Sequence, residues 1–197
     1  MRMAREDAQK LLDEYTKSES LIKHALAVAA AMQAYARKFG EDEEKWGVAG
    51  LLHDFDYEQN PDPKDHPRVG GAILKDRGYP EDIIYAIQAH AEHMHMPRKS
   101  LMDKTLFAVD ELCGFLTATT LVRPGKKIAE VPVKSVKKKL KNKHFARGVN
   151  REEIRQGAAE LDIDLDEHIA FVRDAMAQVA EDLGLAGPAE LKGRGMS

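Results

Sequence analysis

The sequence predicts an all-α fold, and three observations support this prediction. Apolar residues recur with helical spacing in successive segments, glycine and proline fall mostly between those segments, and no segment has a convincing strand pattern. The clearest apolar stripe consists of Leu21, Ala25, Val28, Met32, Ala36 and Phe39. With 197 residues, 43% of them hydrophobic, the chain is long enough to bury one sizeable core.

Glycine and proline residues delimit the helices predicted in the first half of the chain. Gly40 ends the second helix, because glycine readily adopts the left-handed conformation found after a helix. Pro67 and Pro80 open the fourth and fifth helices, since a proline in the first turn loses no hydrogen bond there. The predicted helices cover about residues 2–17, 18–39, 42–55, 66–77 and 80–93.

Capping patterns delimit the helices of the second half. Ser100 with Asp103, and Asn150 with Glu153, have the spacing in which a cap side chain and the side chain three residues later bond each other's backbone. A break at residues 123–126 separates the two halves. The predicted helices cover about residues 100–120, 133–143, 150–161 and 164–184.

Composition excludes several classes of protein. The single cysteine, Cys113, excludes an internal disulfide framework and an all-cysteine metal site. No apolar run approaches the roughly 20 residues needed to cross a bilayer, so we expect no membrane partner. The first residues predict an amphipathic helix rather than the apolar core of a signal peptide. We therefore expect a cytoplasmic protein.

The charge is unevenly distributed although the net charge is only −3. Residues 123–155 contain 12 Lys or Arg and 3 Asp or Glu, whereas the other residues are acidic overall. A basic segment on an acidic body can attract an anionic ligand, or it can simply be a solvated helix. The expected organisation is a metal-binding helical domain at 1–122, a basic helical extension packed on it at 123–185, and a flexible tail at 186–197.

Polar, metal-ligating residues stand where core helices would carry apolar ones. His24, His90 and Asp110 each fall on the apolar face of a predicted helix, and His53 with Asp54 ends the third. An ionised carboxylate at such a position costs several kcal/mol unless a cation pairs with it, and Asp110 has no obvious Lys or Arg partner within a helical turn. A metal ion would supply the charge. Imidazole and carboxylate ligands together suit Zn, Fe, Mn or Mg-type ions.

This ordered set resembles the signature of the HD-domain metal-dependent phosphohydrolases. The resemblance covers about residues 21–120 and includes the stretches 66–74, 86–90 and 108–112 around the later motif residues. It is closest to the subgroup with extra histidines, which is described only as predicted hydrolases. The residues that carry it are His24, His53, Asp54, His66, His90 and Asp110.

The resemblance implies an HD-domain helical bundle with a buried site for one or two divalent ions. His24, His53, Asp54 and Asp110 would bind the first ion. Asp54 would bridge to a second ion bound by His66 and His90. Metal-bound hydroxide would then attack a phosphate ester. Whether the metal is Mn, Fe, Zn, Mg, Co or Ni is left open.

The chain departs from the family pattern at the residues that would transfer protons. Many relatives with two ions have a second histidine after His90, where this chain has Ala91. Three residues after Asp54, where some relatives have lysine and others glutamate, this chain has Tyr57. The neighbouring Asp56 and Glu58 are therefore candidates for catalysis beside Asp54, and solvated loop acids are the alternative.

The basic segment offers candidates for gripping a substrate phosphate. Spaced lysines of the short helix, and an arginine before the N-terminus of the next helix, form the expected anion site. The residues are Lys134, Lys137, Lys138 and Arg147. The alternatives are a solvated face or the contact surface of a homodimer. No motif for sequence-specific nucleic-acid binding is present.

The leading functional hypothesis is a phosphohydrolase, either a phosphomonoesterase or a phosphodiesterase, acting on a small phosphorylated metabolite or a nucleotide. One alternative is a di-iron oxygenase of the HD fold, which uses the same six residues. The other is an HD module that binds metal without catalysis, which the complete set of ligand residues disfavours.

Overall fold

The computed structural model describes residues 5–188 and confirms the all-α prediction. Within that part of the chain there are ten α-helices and no strand, apart from an isolated bridge between Lys127 and Ala186. The predicted start of the first helix and residues 189–197 of the predicted tail lie outside the described residues. The helices are α1 (Arg5–Tyr15), α2 (Glu19–Phe39), α3 (Glu43–Leu52), α4 (Arg68–Asp76), α5 (Glu81–Ala89), α6 (Leu101–Leu121), α7 (Val133–Leu140), α8 (Arg151–Glu160), α9 (Leu165–Ala177) and α10 (Ala180–Leu183).

Two differences between the predicted and the observed helices matter for the cavities of this protein. The last predicted helix is interrupted at residues 178–179, so that α9 and α10 are separate, and the chain then turns Leu183 and Leu185 into the core. Helix α5 ends at Ala89, because Ala91 adopts an extended conformation before a short 3₁₀ turn at Glu92–Met94.

Helices α2 and α6 form the centre of the molecule, and the other helices pack around them. Most of the buried face of α2 consists of alanines, so neighbouring helices approach closely. A Cβ on Gly50 of α3 would lie 2.9 Å from the Ala29 Cα of α2, and a Cβ on Gly157 of α8 would lie 2.4 Å from the Ala108 Cα of α6. Only glycine permits these two approaches.

No helix among residues 5–188 combines the length and the hydrophobicity that a bilayer span requires.

A buried polar contact joins helices from both halves of the chain. The Tyr35 hydroxyl of α2 donates to Nδ1 of His168 on α9 at 2.6 Å, and Nε2–H of His168 donates to the Ala108 carbonyl of α6 at 2.9 Å. Burial is the main cause that lowers the pKa of His168, and Lys38 lowers it further. The imidazole is therefore a neutral bridge between three helices, and both of its nitrogens are satisfied.

Replacing Tyr35 with phenylalanine should lower the free energy of unfolding by about 1–3 kcal/mol, because Nδ1 of the buried His168 loses its donor. Denaturant unfolding of the wild type and the variant measures the difference. Tyr85→Phe is the matched control, since its hydroxyl bonds the Pro97 carbonyl near the surface and should cost about 0.5 kcal/mol or less. Equal losses in the two variants would contradict a structural role for this bridge.

Candidate metal centre

The structure brings all six predicted ligand residues together around one cleft. They come from five different places in the chain, and each place directs one or two side chains towards the same cleft. These residues are His24 on α2, His53 and Asp54 directly after α3, His66 just before α4, His90 at the end of α5, and Asp110 on α6.

One group of three ligand atoms surrounds the Asp110 carboxylate. Oδ1 of Asp110 lies 2.9 Å from Nε2 of His24 and 3.4 Å from Nε2 of His53. The two Nε2 atoms are 3.3 Å apart. These three residues offer ligand atoms that all lie within 4.8 Å of one another, which is close enough to share an ion.

The two oxygens of the Asp54 carboxylate face different histidines. Oδ2 lies 3.4 Å from Nε2 of His53. Oδ1 lies 3.1 Å from Nε2 of His66 and 3.4 Å from Nε2 of His90. His53, Asp54 and His90 form a second group with converging ligand atoms. Asp54 thus stands between the Asp110 group and the pair His66 and His90, where a bridging ligand would stand.

Three of the four imidazoles are oriented by hydrogen bonds from their other nitrogen. In each case Nδ1–H donates to a fixed acceptor, which directs Nε2 towards the carboxylates and leaves it as the atom that can bind an ion. The pairs are His53 with the Gly50 carbonyl (2.8 Å), His90 with the Ile87 carbonyl (2.5 Å) and His66 with Oδ1 of Asp56 (2.9 Å). This arrangement is typical of histidines that bind metal.

Asp56 is buried behind His66 and does not line the cleft. Its Oδ1 accepts from His66, and its Oδ2 accepts from the Gly70 backbone N–H at 2.8 Å. A Cβ on Gly70 would lie 2.7 Å from Cγ of Asp56, so glycine is needed for this contact. The geometry places Asp56 as an orienting partner of His66, and its predicted part in catalysis stays a prediction.

Glu58 lies outside the cleft at the start of α2. Its carboxylate accepts from the backbone N–H groups of Lys17 and Ser18 at 2.6 and 3.1 Å. These bonds, that of Ser18 first, lower the pKa of Glu58. The carboxylate therefore occupies a position that satisfies free N–H groups of a helix start, and its predicted catalytic role also stays a prediction.

The charges of the centre explain why a cation fits these residues. Burial raises the pKa of Asp54 and Asp110, but the charge of His53 and the hydrogen bonds of the surrounding histidines outweigh burial and hold both values well below the usual range. Burial lowers the pKa of His66, and hydrogen bonds to Asp54 and Asp56 raise it to about 9. In the absence of an ion, the carboxylates thus stay negatively charged because protonated histidines beside them supply the compensating positive charge. A divalent ion can replace those protons, and the nitrogen and oxygen donors suit it.

The cleft has a volume of about 570 Å³, and its outer wall is acidic. Beyond the ligand residues it is lined by Glu92, Glu111 and Glu153, and burial first, then Asp110, raises the pKa of Glu111 to about 8. Among the lining residues, all within the described part of the chain, there is no Lys or Arg. Sequence reasoning missed this wall, because Glu111 differs from an ordinary helical glutamate only in following Asp110.

The four predicted phosphate-gripping residues do not line the cleft. Lys137 forms an ion pair with Asp166 at 2.7 Å, and Arg147 contacts Nδ1 of His144 at 3.2 Å. Lys134 and Lys138 are exposed. Their predicted contact with substrate stays a prediction, and the structure does not bring them together with the six ligand residues.

Comparison with known proteins finds a family that matches the part of the chain that holds this centre. The family described as HD domain matches residues 21–114, which include all six ligand residues. A search of solved structures found no match.

The relatives found in a search of curated proteins are named Ribonuclease Y. One from Oleidesulfovibrio alaskensis is 34% identical over 109 residues, which are 55% of this chain and 19% of the relative. One from Desulfotalea psychrophila is 33% identical over 108 residues, covering 54% and 19%. One from Nitratidesulfovibrio vulgaris is 29% identical over 184 residues, covering 86% and 33%. The chain thus spans a third or less of the length of these relatives.

Asp56→Asn should weaken Mn²⁺ binding about 10- to 100-fold, because the neutral amide is a poorer acceptor for Nδ1–H of His66 and cannot accept from Gly70 with its nitrogen. Titration calorimetry of the metal-free protein measures the affinity. Glu58→Gln, which changes a neighbouring acid outside the cleft, should alter the affinity less than about twofold. If the two variants bind Mn²⁺ equally well, Asp56 does not orient a ligand.

Metal binding should release protons and strengthen as the pH rises from 6 to 8. Since the pKa of His66 is about 9 in the ion-free protein, its ring carries a proton throughout this range and must lose it before Nε2 can bind an ion. The apparent affinity should rise about tenfold per pH unit for each proton released. Calorimetry in two buffers with different ionisation enthalpies counts the protons, and His66→Gln should lower the count by about one. An affinity that stays flat over this range would contradict the assignment.

Proposed function

We propose that this chain hydrolyses phosphate esters with the help of divalent ions. Its residues 21–114 match the HD-domain family, whose members are typically metal-dependent phosphohydrolases. The position of Asp54 is the observation that supports this most strongly. Its two oxygens face separate sets of histidine Nε2 atoms at 3.1–3.4 Å, which is the arrangement needed to hold two ions side by side.

In this proposal, the first ion is held by His24, His53, Asp54 and Asp110, and the second by Asp54, His66 and His90. Ions bound there would lower the pKa of water and offset the negative charge that develops on phosphate oxygens. The protein's own contribution is to orient the imidazoles through their Nδ1–H bonds and to keep both carboxylates charged. Because these side chains are already held in place, they need little reorientation when the transition state forms.

Within the phosphohydrolases we propose a phosphodiester of a nucleotide as substrate. A phosphodiester carries one negative charge, whereas a monoester carries up to two near neutral pH. The cleft lining contains Glu92, Glu111 and Glu153, and it has no Lys or Arg that would offset a second negative charge outside the ions. The relatives' name, Ribonuclease Y, agrees with this class, and it narrows the sequence-based expectation of a small phosphorylated metabolite or nucleotide.

The basic residues of 123–155 fit this proposal through long-range attraction rather than through contact. Lys134, Lys138 and Arg147 are exposed and lie outside the cleft lining. Exposed positive charge raises the local concentration of an anionic substrate and speeds its encounter with the protein, and salt screens this effect.

Asp54→Ala should lose metal and hydrolysis together, because this residue contributes to both proposed ion sites. We expect bound Mn²⁺ to fall from about two ions per chain to one or fewer, and kcat/KM for bis(p-nitrophenyl) phosphate to fall about a thousandfold or more. Metal analysis and a colorimetric assay measure the two quantities. Asp76→Ala, which removes an exposed carboxylate at the end of α4, is the control and should behave as the wild type.

Full metal content and activity in Asp54→Ala would overturn the proposed centre. Wild-type protein that binds two irons and consumes oxygen, but hydrolyses no ester, would instead support the oxygenase alternative.

A further inference from the structure

A second cavity, of about 310 Å³, adjoins the metal cleft. His24 and Gly114 line both spaces, so the cavity opens beside one ligand of the proposed first ion. The lining combines aliphatic and hydrogen-bonding side chains. Its members are Ser20, Lys23, His24, Gly114, Thr117, Leu121, Leu183, Gly184 and Leu185, and we call it the Gly114 pocket.

Neither close packing nor backbone conformation requires glycine at position 114, and the open space of the pocket is the remaining explanation. Gly114 lies inside α6, where glycine costs about 1 kcal/mol relative to alanine. A Cβ built on it would meet nothing within 4 Å, in contrast to Gly157, whose Cβ would collide with α6. Its backbone is helical, so no left-handed conformation requires glycine either. A side chain at position 114 would instead fill the junction between the two cavities.

We propose that the Gly114 pocket binds the sugar and base of one nucleotide whose phosphate lies at the metal centre. This inference rests on the proposed function and specifies where the organic part of the ester goes. Leu121, which is 47% exposed, offers most of the apolar surface to the faces of a ring, and the nearly buried Leu183 and Leu185 complete the apolar lining. Ser20 and Thr117 offer hydroxyls that can donate to or accept from its edge.

Charge gives the pocket a direction. Lys23 lines the Gly114 pocket, whereas Glu92, Glu111 and Glu153 line the metal cleft. The ammonium of Lys23 pairs with Glu19 one turn away near the surface, and such a pair is easily exchanged for a phosphate. A nucleotide chain therefore leaves the centre past Lys23, away from the acidic wall.

The pocket also gives a role to the end of the described chain. Leu183, Gly184 and Leu185 follow the break after α9 and lie outside the matched residues 21–114. The part of the pocket that they form is therefore an addition to the HD domain, and it is built where the predicted continuous helix is interrupted.

The test compares two anions of equal charge that differ only in their organic group, adenosine 5′-monophosphate and methyl phosphate. Calorimetry measures the binding of each to Mn²⁺-loaded protein, so no turnover is needed. Wild-type protein should bind the nucleotide about tenfold or more tightly than methyl phosphate. Gly114→Leu should abolish that preference without changing the bound Mn²⁺, and Gly114→Ala should reduce it partially. Ala159→Leu, which adds the same side chain on the exposed face of α8, is the control and should keep the wild-type ratio.

Absence of the preference in the wild type, or its full retention in folded Gly114→Leu, overturns the proposal. If Gly114→Leu does not fold, Thr117→Leu narrows the same pocket and has the same expected result. The outcome is separable from that of the proposed function. Protein that hydrolyses bis(p-nitrophenyl) phosphate but ignores the nucleoside would keep the function and lose the pocket. Protein that prefers the nucleotide but hydrolyses no ester would keep the pocket and lose the function.

Discussion

Two carboxylates that stay charged in a mostly enclosed site are the constraint on which the rest of this structure depends. Asp54 and Asp110 expose only 22% and 20% of their side chains, and their partners within the centre are histidines. Such charges need compensation, either by protons held on the imidazoles or by metal ions. Several features position the positive charge that these carboxylates need. They are the four histidines, the buried Asp56 behind His66, and the ends of α3 and α5, which direct ligand side chains into the centre.

The second constraint is the position of α6, because it carries Asp110. The later half of the chain contacts α6 at Ala108, which lies two residues, about half a helical turn, before Asp110. Gly157 of α8 approaches the backbone of Ala108, and His168 of α9 donates to its carbonyl. The helices after residue 122 therefore help to set the geometry of a centre whose ligands all precede them. They also supply Glu153 to the cleft wall and Leu183 to the neighbouring pocket.

The metal cleft and the adjoining Gly114 pocket differ in chemistry, and under the proposed function this difference favours one class of substrate. The cleft lining has carboxyl groups and no Lys or Arg, whereas the Gly114 pocket offers apolar surface, hydroxyl groups and Lys23. An ester with a single charge and an organic group on the pocket side satisfies both. In the proposed function, the exposed residues Lys134, Lys138 and Arg147 do not line the cleft and attract the anionic substrate at a distance.

The sequence by itself determined the helical class, and with the family resemblance it predicted the six residues that the structure brings together. His24, His90 and Asp110 interrupt apolar stripes whose period is visible in the chain, and buried polar groups in such places need a partner whatever the exact packing. Only the tertiary structure decided the surroundings of these ligands. Asp56 meets His66 because the loop after α3 folds back on α4, and Glu153 joins the cleft from far along the chain. The basic residues, adjacent in sequence and alike in charge, face solvent instead. Distances between remote residues depend on how helices pack and loops turn, and local periodicity does not encode them.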